Sequence, residues 1–334
     1  MGLLAQAIIG LSLRVAPTRN ATYKNVWDKR AQVLYNKLLS LNIPESYVFL
    51  GFHYDCFLFL NKKWLGNKIK SIAQQTIERE YFFSGYIYLK VFFPNELQDF
   101  RGDYHSLVQK EVFSSSTQEI AAERLVTLLI HQSKVENAED EIEWLVKHAY
   151  PVFLSYIAHS FHNLLMFGKY RIAQSEKDSK KIRIALHFWH QVYLKFEGKE
   201  LTDEKRQVMK SLLSLLPLIP HMSQLYRNML LASLKVCDNH PPIQFLDNLL
   251  KISQETPKDC KEFCGDVLNT YIQKFSMSIE WQKHILLQLI DIIYEKETDS
   301  QYFHSLLHIL QEIHAHELAH QIAQRCNFKP EKCG

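Results

Sequence analysis

Glycine and proline are scarce in this chain, and their scarcity limits the folds it can adopt. The 334 residues contain only 10 glycines and 10 prolines. Barrels, sandwiches and doubly wound sheets need many glycine-bearing turns, and phosphate-binding loops need glycine as well. Because turn residues are so few, the sequence predicts that most of the chain is helical.

Composition and motifs narrow the functional classes. Hydrophobic residues make up 47% of the chain and charged residues 22%, which is typical of a folded globular protein. No P-loop, G-x-G-x-x-G or G-x-S-x-G string occurs, which argues against the enzymes that carry these motifs. The net charge of +3 is mild, whereas a nucleic-acid-binding protein usually has a concentrated basic face.

The cysteines and the apolar runs of the sequence indicate in which cellular compartment the protein resides. The cysteines are too sparse for a disulfide scaffold and form no C-x-x-C pair, which indicates a soluble intracellular protein, cytoplasmic or nuclear. A mitochondrial presequence is the alternative, because residues 1–20 contain arginines and no acid. The uncharged run over residues 149–168 carries polar groups in its middle, so it predicts a core helix and no transmembrane segment.

Helix start signals recur over the C-terminal part of the chain. Thr256 with Pro257 predicts a capped helix start, and Ser116 with Glu119 predicts a capping box. Successive starts lie roughly twenty residues apart, so a helix pair repeats about every forty residues, the length class of HEAT and armadillo units. The predicted starts lie near Thr202, Pro220, Pro241, Thr256, Ser278 and Asp299.

The N-terminal part is richer in aromatic residues and less regular. The runs 47–60 and 81–93 are dense in Phe and Tyr and fit either buried helices or short strands, of which we favour helices. The sequence therefore predicts an all-α protein. An aromatic-rich helical portion (1–115) precedes an irregular HEAT/armadillo-like array of antiparallel helix pairs (116–334), or one continuous domain spans both.

One string offers candidate metal chemistry. The segment His316-Glu317-Leu318-Ala319-His320 resembles the H-E-x-x-H motif of the zincins, in which the two histidines bind zinc and the glutamate acts as base. Cys326 stands where the metzincins place a third ligand. Ala323 replaces the glycine at which the metzincin chain turns, so the resemblance is incomplete.

The surroundings of this string favour a different interpretation. The segment 302–325 reads as one helix with an apolar stripe on one side. A polar column on the other side recurs every fourth residue, and it consists of His304, His308, Glu312, His316 and His320. The two histidines of the string therefore continue a solvent-facing column. Pairs of histidines one turn apart also chelate zinc or nickel adventitiously.

Three other groups of residues are weaker candidates. Two basic clusters could bind nucleic acid, and they comprise Lys62, Lys63, Lys68 and Lys70, and Lys177, Lys180, Lys181 and Arg183. An acidic patch at a helix start is formed by Asp140, Glu141 and Glu143. A nucleophilic set of His53, Asp55 and Cys56 is adjacent in sequence, although catalytic partners of a cysteine usually lie far apart in the chain.

The function predicted from these observations is a non-enzymatic protein–protein interaction module. It would act as an adaptor, scaffold or complex subunit, and it would need no cofactor. The first alternative is a zinc-dependent metallohydrolase that uses residues 316–320. The second is a nucleic-acid-binding helical repeat. The sequence specifies neither the partner nor the oligomeric state.

Overall fold

The computed structural model describes residues 2–16, 26–72, 76–109, 114–131, 135–167, 180–237, 244–276, 282–294 and 301–325. All regular structure in these ranges is helical, without strands, which confirms the predicted all-α class. The chain divides into two compact units, Met1–Lys134 and Val135–Gly334. The predicted boundary after residue 115 falls at the first residue of a helix, Ser115–His131, that this division assigns to the first unit.

The first unit contains short helices whose starts carry the expected capping chemistry. The Asp28 carboxylate accepts the backbone N–H groups of Arg30 and Ala31, and the Thr76 hydroxyl accepts that of Arg79. The aromatic run 47–60 is helical apart from residue 53, as we favoured, whereas the run 81–93 is helical only up to Tyr86 and irregular beyond it. The helices are α1 (Gly2–Val15), α2 (Lys29–Ser40), α3 (Pro44–Phe52), α4 (Tyr54–Ser71), α5 (Ile77–Tyr86), α6 (Glu96–Asp99), α7 (Arg101–Gln109) and α8 (Ser115–His131).

Two glycines allow helices α3 and α5 to touch backbone to backbone. A Cβ atom added to Gly51 would overlap the Phe82 carbonyl oxygen and lie 2.7 Å from the Tyr86 nitrogen. A Cβ atom added to Gly85 would overlap the Val48 carbonyl in the same way. Since the obstructing atoms belong to the main chain, no side-chain movement can relieve the overlap. The two glycines therefore set the distance between these helices.

A fully buried ion pair ties helix α8 to the segment that precedes α6. The Arg124 guanidinium donates to both carboxylate oxygens of Glu96, at 2.6 and 2.8 Å, and also to the carbonyl oxygens of Leu89 and Val91. Glu96 further accepts the Tyr104 hydroxyl at 2.9 Å and the backbone N–H of residue 93 at 3.2 Å. Both charges are thus bonded on every side, which a buried pair requires.

A second buried ion pair joins helices α5 and α7. The Arg79 guanidinium donates to both oxygens of Asp103, each at 2.7 Å. The same guanidinium lies over the rings of Phe82 and Phe100, 5.4 and 5.3 Å from their centroids. Around these rings the aromatic side chains of the first unit pack on one another. The ring centroids of Tyr86 and Phe100 lie 4.4 Å apart. Part of each aromatic run therefore forms core, whereas other members, Phe52 and Phe59 among them, are exposed.

The second unit is built from α-helices of 10 to 17 residues with apolar sides. Helix α10 continues as a π-helical turn over Asn163–Phe167, and α12 continues as a 3-10 helix over Leu213–Leu218. The α-helices are α9 (Val135–His148), α10 (Pro151–His162), α11 (Lys180–Phe196), α12 (Asp203–Leu212), α13 (Gln224–Lys235), α14 (Phe245–Glu255), α15 (Lys261–Lys274), α16 (Lys283–Tyr294), α17 (Gln301–Glu312) and α18 (His316–Arg325).

Helix α10 occupies the uncharged run that raised the question of a membrane span. Phe153, Leu154, Ile157 and Phe161 are buried, and the helix packs on α11 and α12. The predicted core helix is therefore confirmed over the described residues. In the part of the chain that the structure describes, no helix has both the length and the apolar character to cross a bilayer.

Most helices of the second unit pack on the helix two positions along the chain. The pairs α9–α11, α10–α12, α13–α15, α14–α16 and α15–α17 make the most extensive contacts, and α11–α13 and α16–α18 also touch. Contacts between consecutive helices are smaller than those of the first five pairs, but α15–α16 and α17–α18 pack more extensively than α11–α13 and α16–α18. Odd-numbered helices therefore pack on odd-numbered neighbours, and even-numbered helices mostly on even-numbered ones.

Two predicted caps differ from the observed contacts. Ser114 accepts the Thr117 N–H, so the capping hydroxyl of α8 precedes the predicted Ser116. Thr256 ends α14 instead of starting the next helix, because its hydroxyl donates to the Ile252 carbonyl. The same hydroxyl accepts the Met222 N–H at 2.8 Å. Helix α12 starts after Thr202 as predicted, and the predicted starts at 241, 278 and 299 lie outside the described residues.

The C-terminal helical segment is broken, contrary to the prediction of one helix over 302–325. Helix α17 ends at Glu312, and His314 adopts a left-handed conformation with φ of 61°. The Ala315 N–H bonds to the Leu310 carbonyl at 2.8 Å, and the His314 N–H bonds to the Gln311 carbonyl at 3.0 Å. This pair of bonds is a Schellman motif, in which glycine usually stands where His314 does.

Candidate functional site

The helix break changes the setting of the zincin-like string. His316, Glu317 and His320 are exposed on the short helix α18, which packs on α16 and α17. The predicted polar column through His304, His308 and His320 is therefore not continuous, because the first two lie on α17. The string begins its own helix instead of extending a longer one.

The side chains of the string contact neighbours other than a shared metal position. The Gln321 amide donates to the Glu317 carboxylate at 3.1 Å, and the Lys283 ammonium lies 3.6 Å from it. The Gln324 amide nitrogen lies 2.7 Å from Nε2 of His320. Cys326, the predicted third ligand, lies outside the described residues. Among the residues that are described, no three His, Cys, Asp or Glu side chains converge as a metal site would need.

The two basic clusters lie in different units and have different surroundings. Lys180 and Lys181 begin helix α11, and Lys177 lies outside the described residues. Arg183 donates to Glu139 of α9 at 3.0 Å, and His187 lies 3.7 Å from Glu143. Arg183 of the second cluster thus faces an acidic side chain, and Glu143 belongs to the predicted acidic patch with Asp140 and Glu141.

The first basic cluster lies on helix α4 and has no acidic neighbour on its outward side. Lys62, Lys63 and Lys70 are exposed, and Lys68 is half-buried. Phe59 is also exposed, but the helix is kinked at Asn61, between Phe59 and the lysines. After the kink, Lys62, Lys63 and Lys70 share one helix side, whereas Lys68 lines a groove with helices α2, α3 and α5.

The predicted nucleophilic set shows no activation of its thiol. Cys56 Sγ lies 3.9 Å from Nδ1 of His53, while Asp55 accepts the backbone N–H of Cys56 at 2.8 Å and so does not orient the histidine. Burial, assisted by the nearby Asp55 charge, raises the pKa of the Cys56 thiol to about 11. Burial also lowers the pKa of His53. A catalytic cysteine needs the opposite shift, since the thiolate is the nucleophile.

A groove of about 350 Å³ lies among helices α2, α3, α4 and α5. Its lining is polar apart from two aliphatic residues, and it contains one basic and one acidic side chain, Lys68 and Glu78. Its lining includes Ile72 and Thr76, which flank residues 73–75 in the sequence, outside the described residues. Opposite charges on its two sides give the groove no preference for an anion or a cation.

Sequence reasoning missed a surface of the first unit that combines exposed apolar and basic side chains. We define this basic–apolar surface as the outward sides of α1, α2 and α4. It comprises Leu3, Leu4, Leu11 and Arg14 on α1, Lys29, Arg30, Val33, Leu34 and Lys37 on α2, and Phe59, Lys62, Lys63 and Lys70 on α4. The signal in the sequence was charge, because residues 1–72 contain ten Lys and Arg against three Asp and Glu.

The sequence and the fold of this chain can be compared with those of known proteins. No protein family, no curated protein and no solved structure matches this chain. The interpretation of its function therefore depends on the contacts and charges of its own residues.

Proposed function

We propose that the protein is a non-enzymatic interaction module, in which the second unit forms a helical array that binds a protein partner. The observation that carries this proposal is the packing of helices on their second neighbours. In helical-repeat proteins each helix pair contacts only the next, and the stacked pairs present a long side surface. The starts of α12, α14 and α16 lie roughly forty residues apart, the spacing of HEAT-like units.

The charges of the second unit support a protein partner over nucleic acid. Its outward basic residues alternate with acids, as Arg183 does with Glu139 and Arg227 with Asp266. A phosphate backbone favours a continuous basic track, which such pairs interrupt. Side chains of both signs suit a polar protein interface, in which opposite charges determine the partner and the register of binding.

The test is partner binding by the full chain and by two sets of surface variants. The first set is Asp247→Arg with Gln288→Arg on α14 and α16, and the second is Leu225→Arg with Gln273→Arg on α13 and α15. All four positions are exposed, so folding should be retained. A partner captured from the native source is purified, and its affinity is measured by calorimetry. We expect one set to weaken binding at least about tenfold and the other to leave it unchanged.

Three outcomes would contradict this proposal. Equal binding by both sets of variants would place the interface outside the array. One zinc ion per chain that resists chelator and is lost in His316→Ala would favour the metallohydrolase alternative. Nucleic-acid binding that falls steeply with salt, and is lost when Lys62 and Lys63 are replaced by glutamate, would favour the nucleic-acid-binding alternative.

A further inference from the structure

Helix α1 carries more leucine on its outward side than on its buried side. Leu3, Leu4 and Leu11 are 83%, 51% and 61% exposed. The side that packs on α2, α3 and α4 is made instead of the smaller or β-branched residues Ala5, Ile8, Ile9, Ser12 and Ala16. A helix that is apolar all round is normally buried on all sides, and an exposed apolar surface usually marks a binding site.

The outward side of α2 continues this pattern and adds positive charge. Val33 and Leu34 are about half exposed, and Lys29, Arg30 and Lys37 alternate with them along the same side. Helix α4 adds Phe59, which is 62% exposed, before its kink at Asn61, and three exposed lysines after it. Among the described residues from 2 to 72, the one exposed acid is Glu45, on α3. The basic–apolar surface therefore combines apolar side chains with seven exposed bases and no exposed acid.

We propose that the basic–apolar surface binds the anionic face of a lipid bilayer, with α1 lying in the interface plane. Interfacial helices bury leucine and phenylalanine at the boundary of headgroups and acyl chains, while lysine and arginine contact anionic headgroups. Each base near an anionic membrane contributes about 1 kcal/mol, and each inserted leucine contributes on the order of 1.5–3 kcal/mol when fully buried. The two contributions add in one surface.

The same charges argue against two other occupants. A second copy of this surface would bring seven exposed bases against seven, and like-charge repulsion opposes that contact. Nucleic acid would engage the bases but leave the leucines of α1 in water, since a phosphate backbone offers them no apolar contact. A lipid bilayer satisfies the charges and the apolar side chains together. This binding is independent of the partner proposed for the second unit.

The test is co-sedimentation of the full chain with vesicles. The probes are phosphatidylcholine vesicles with and without phosphatidylserine. We expect the chain to bind the vesicles that contain phosphatidylserine and to bind pure phosphatidylcholine at least about tenfold more weakly. Leu3→Gln with Leu11→Gln should reduce binding about tenfold or more, and so should Lys62→Glu with Lys63→Glu.

Matched controls separate membrane binding from loss of structure. The pair Leu194→Gln and Leu225→Gln removes exposed leucines of the second unit and should leave vesicle binding unchanged. Circular dichroism and thermal melting should show that all variants stay folded, because each replaced side chain is exposed.

Several results would overturn the inference. These are no binding to phosphatidylserine vesicles at low salt, binding that the leucine variant leaves unchanged, or loss of binding in the second-unit control. Self-association that disappears in the leucine variant, without vesicle binding, would assign the surface to a second copy instead. Because the variants lie in the first unit, failure here leaves the partner test of the second unit unaffected.

Discussion

The two units of this protein are stabilised in different ways. In the first unit, Arg79, Glu96, Asp103 and Arg124 are buried as ion pairs, and two glycines bring helix backbones into contact. In the described part of the second unit, Glu141 is the one buried Asp, Glu, Lys or Arg, and leucine and isoleucine fill the spaces between helices. Apolar packing tolerates exchange of similar side chains, whereas a buried charge or a backbone contact does not.

The largest difference in stability between the two units should appear when the buried Glu96–Arg124 pair is broken. Arg124→Met leaves the Glu96 carboxylate buried and unpaired, which we expect to cost about 3–5 kcal/mol of unfolding free energy. The matched control is Arg183→Met in the second unit, where an exposed pair contributes about 1 kcal/mol or less. Urea denaturation followed by circular dichroism measures both. Similar losses of unfolding free energy in the two variants would show that the two units are not stabilised in different ways.

A substitution that disturbs the backbone contact between α3 and α5 should lower the unfolding free energy nearly as much. Gly85→Ala places a methyl group against the Val48 carbonyl, and we expect a loss of about 3 kcal/mol, the upper end for overpacking. Gly66→Ala is the matched control, since Gly66 is exposed on α4 with no atom within 4 Å of the added Cβ. That change should stabilise the protein by about 0.5–1 kcal/mol. Equal melting temperatures for both variants would refute the close approach.

Part of the difference between the two units could be predicted from the sequence. Few glycines correctly indicated helices, but the role of Gly51 and Gly85 depends on which helices cross, and composition does not specify that. The leucines of α1 could be recognised as apolar, but a helix that is apolar all round does not reveal its exposed side. The H-E-x-x-H string was assigned to one long helix, because no glycine marked the break at His314.

A smaller effect should come from the break between α17 and α18. His314 is held at positive φ, which costs a residue with a Cβ atom about 1 kcal/mol relative to glycine. His314→Gly should therefore raise the unfolding free energy by about that amount, whereas His314→Ala should give no gain. Thermal melting of the two variants measures the difference. An increase with alanine, or a decrease with glycine, would be expected only if the helix ran straight through.

The smallest effect should be a dependence of stability on pH. Burial lowers the pKa of His53 in the first unit below its ordinary value of 6.5. Burial and the nearby His187 lower the pKa of His190 in the second unit. The unfolded chain then binds protons more readily than the folded one. Stability should therefore fall as the pH drops below about 6.5 towards the folded pKa values.

Single variants separate the two histidines. His53→Gln and His190→Gln should each reduce the pH dependence of the unfolding free energy, followed by urea denaturation at several pH values. A wild-type chain whose stability rises as the pH falls through this range would show that the sign is wrong. An unchanged slope in both variants would assign the dependence to other groups.

The contacts of Glu96 make an irregular segment part of the folded core. Leu89, Val91 and Phe93 lie between helices, yet their main-chain groups bond to a carboxylate and a guanidinium that bind each other. A segment held in this way cannot open alone, because its release would expose the Glu96–Arg124 pair and detach α8. The amide hydrogen of Phe93, which bonds to Glu96, should therefore exchange with solvent only when the whole first unit unfolds, unlike that of an ordinary surface loop.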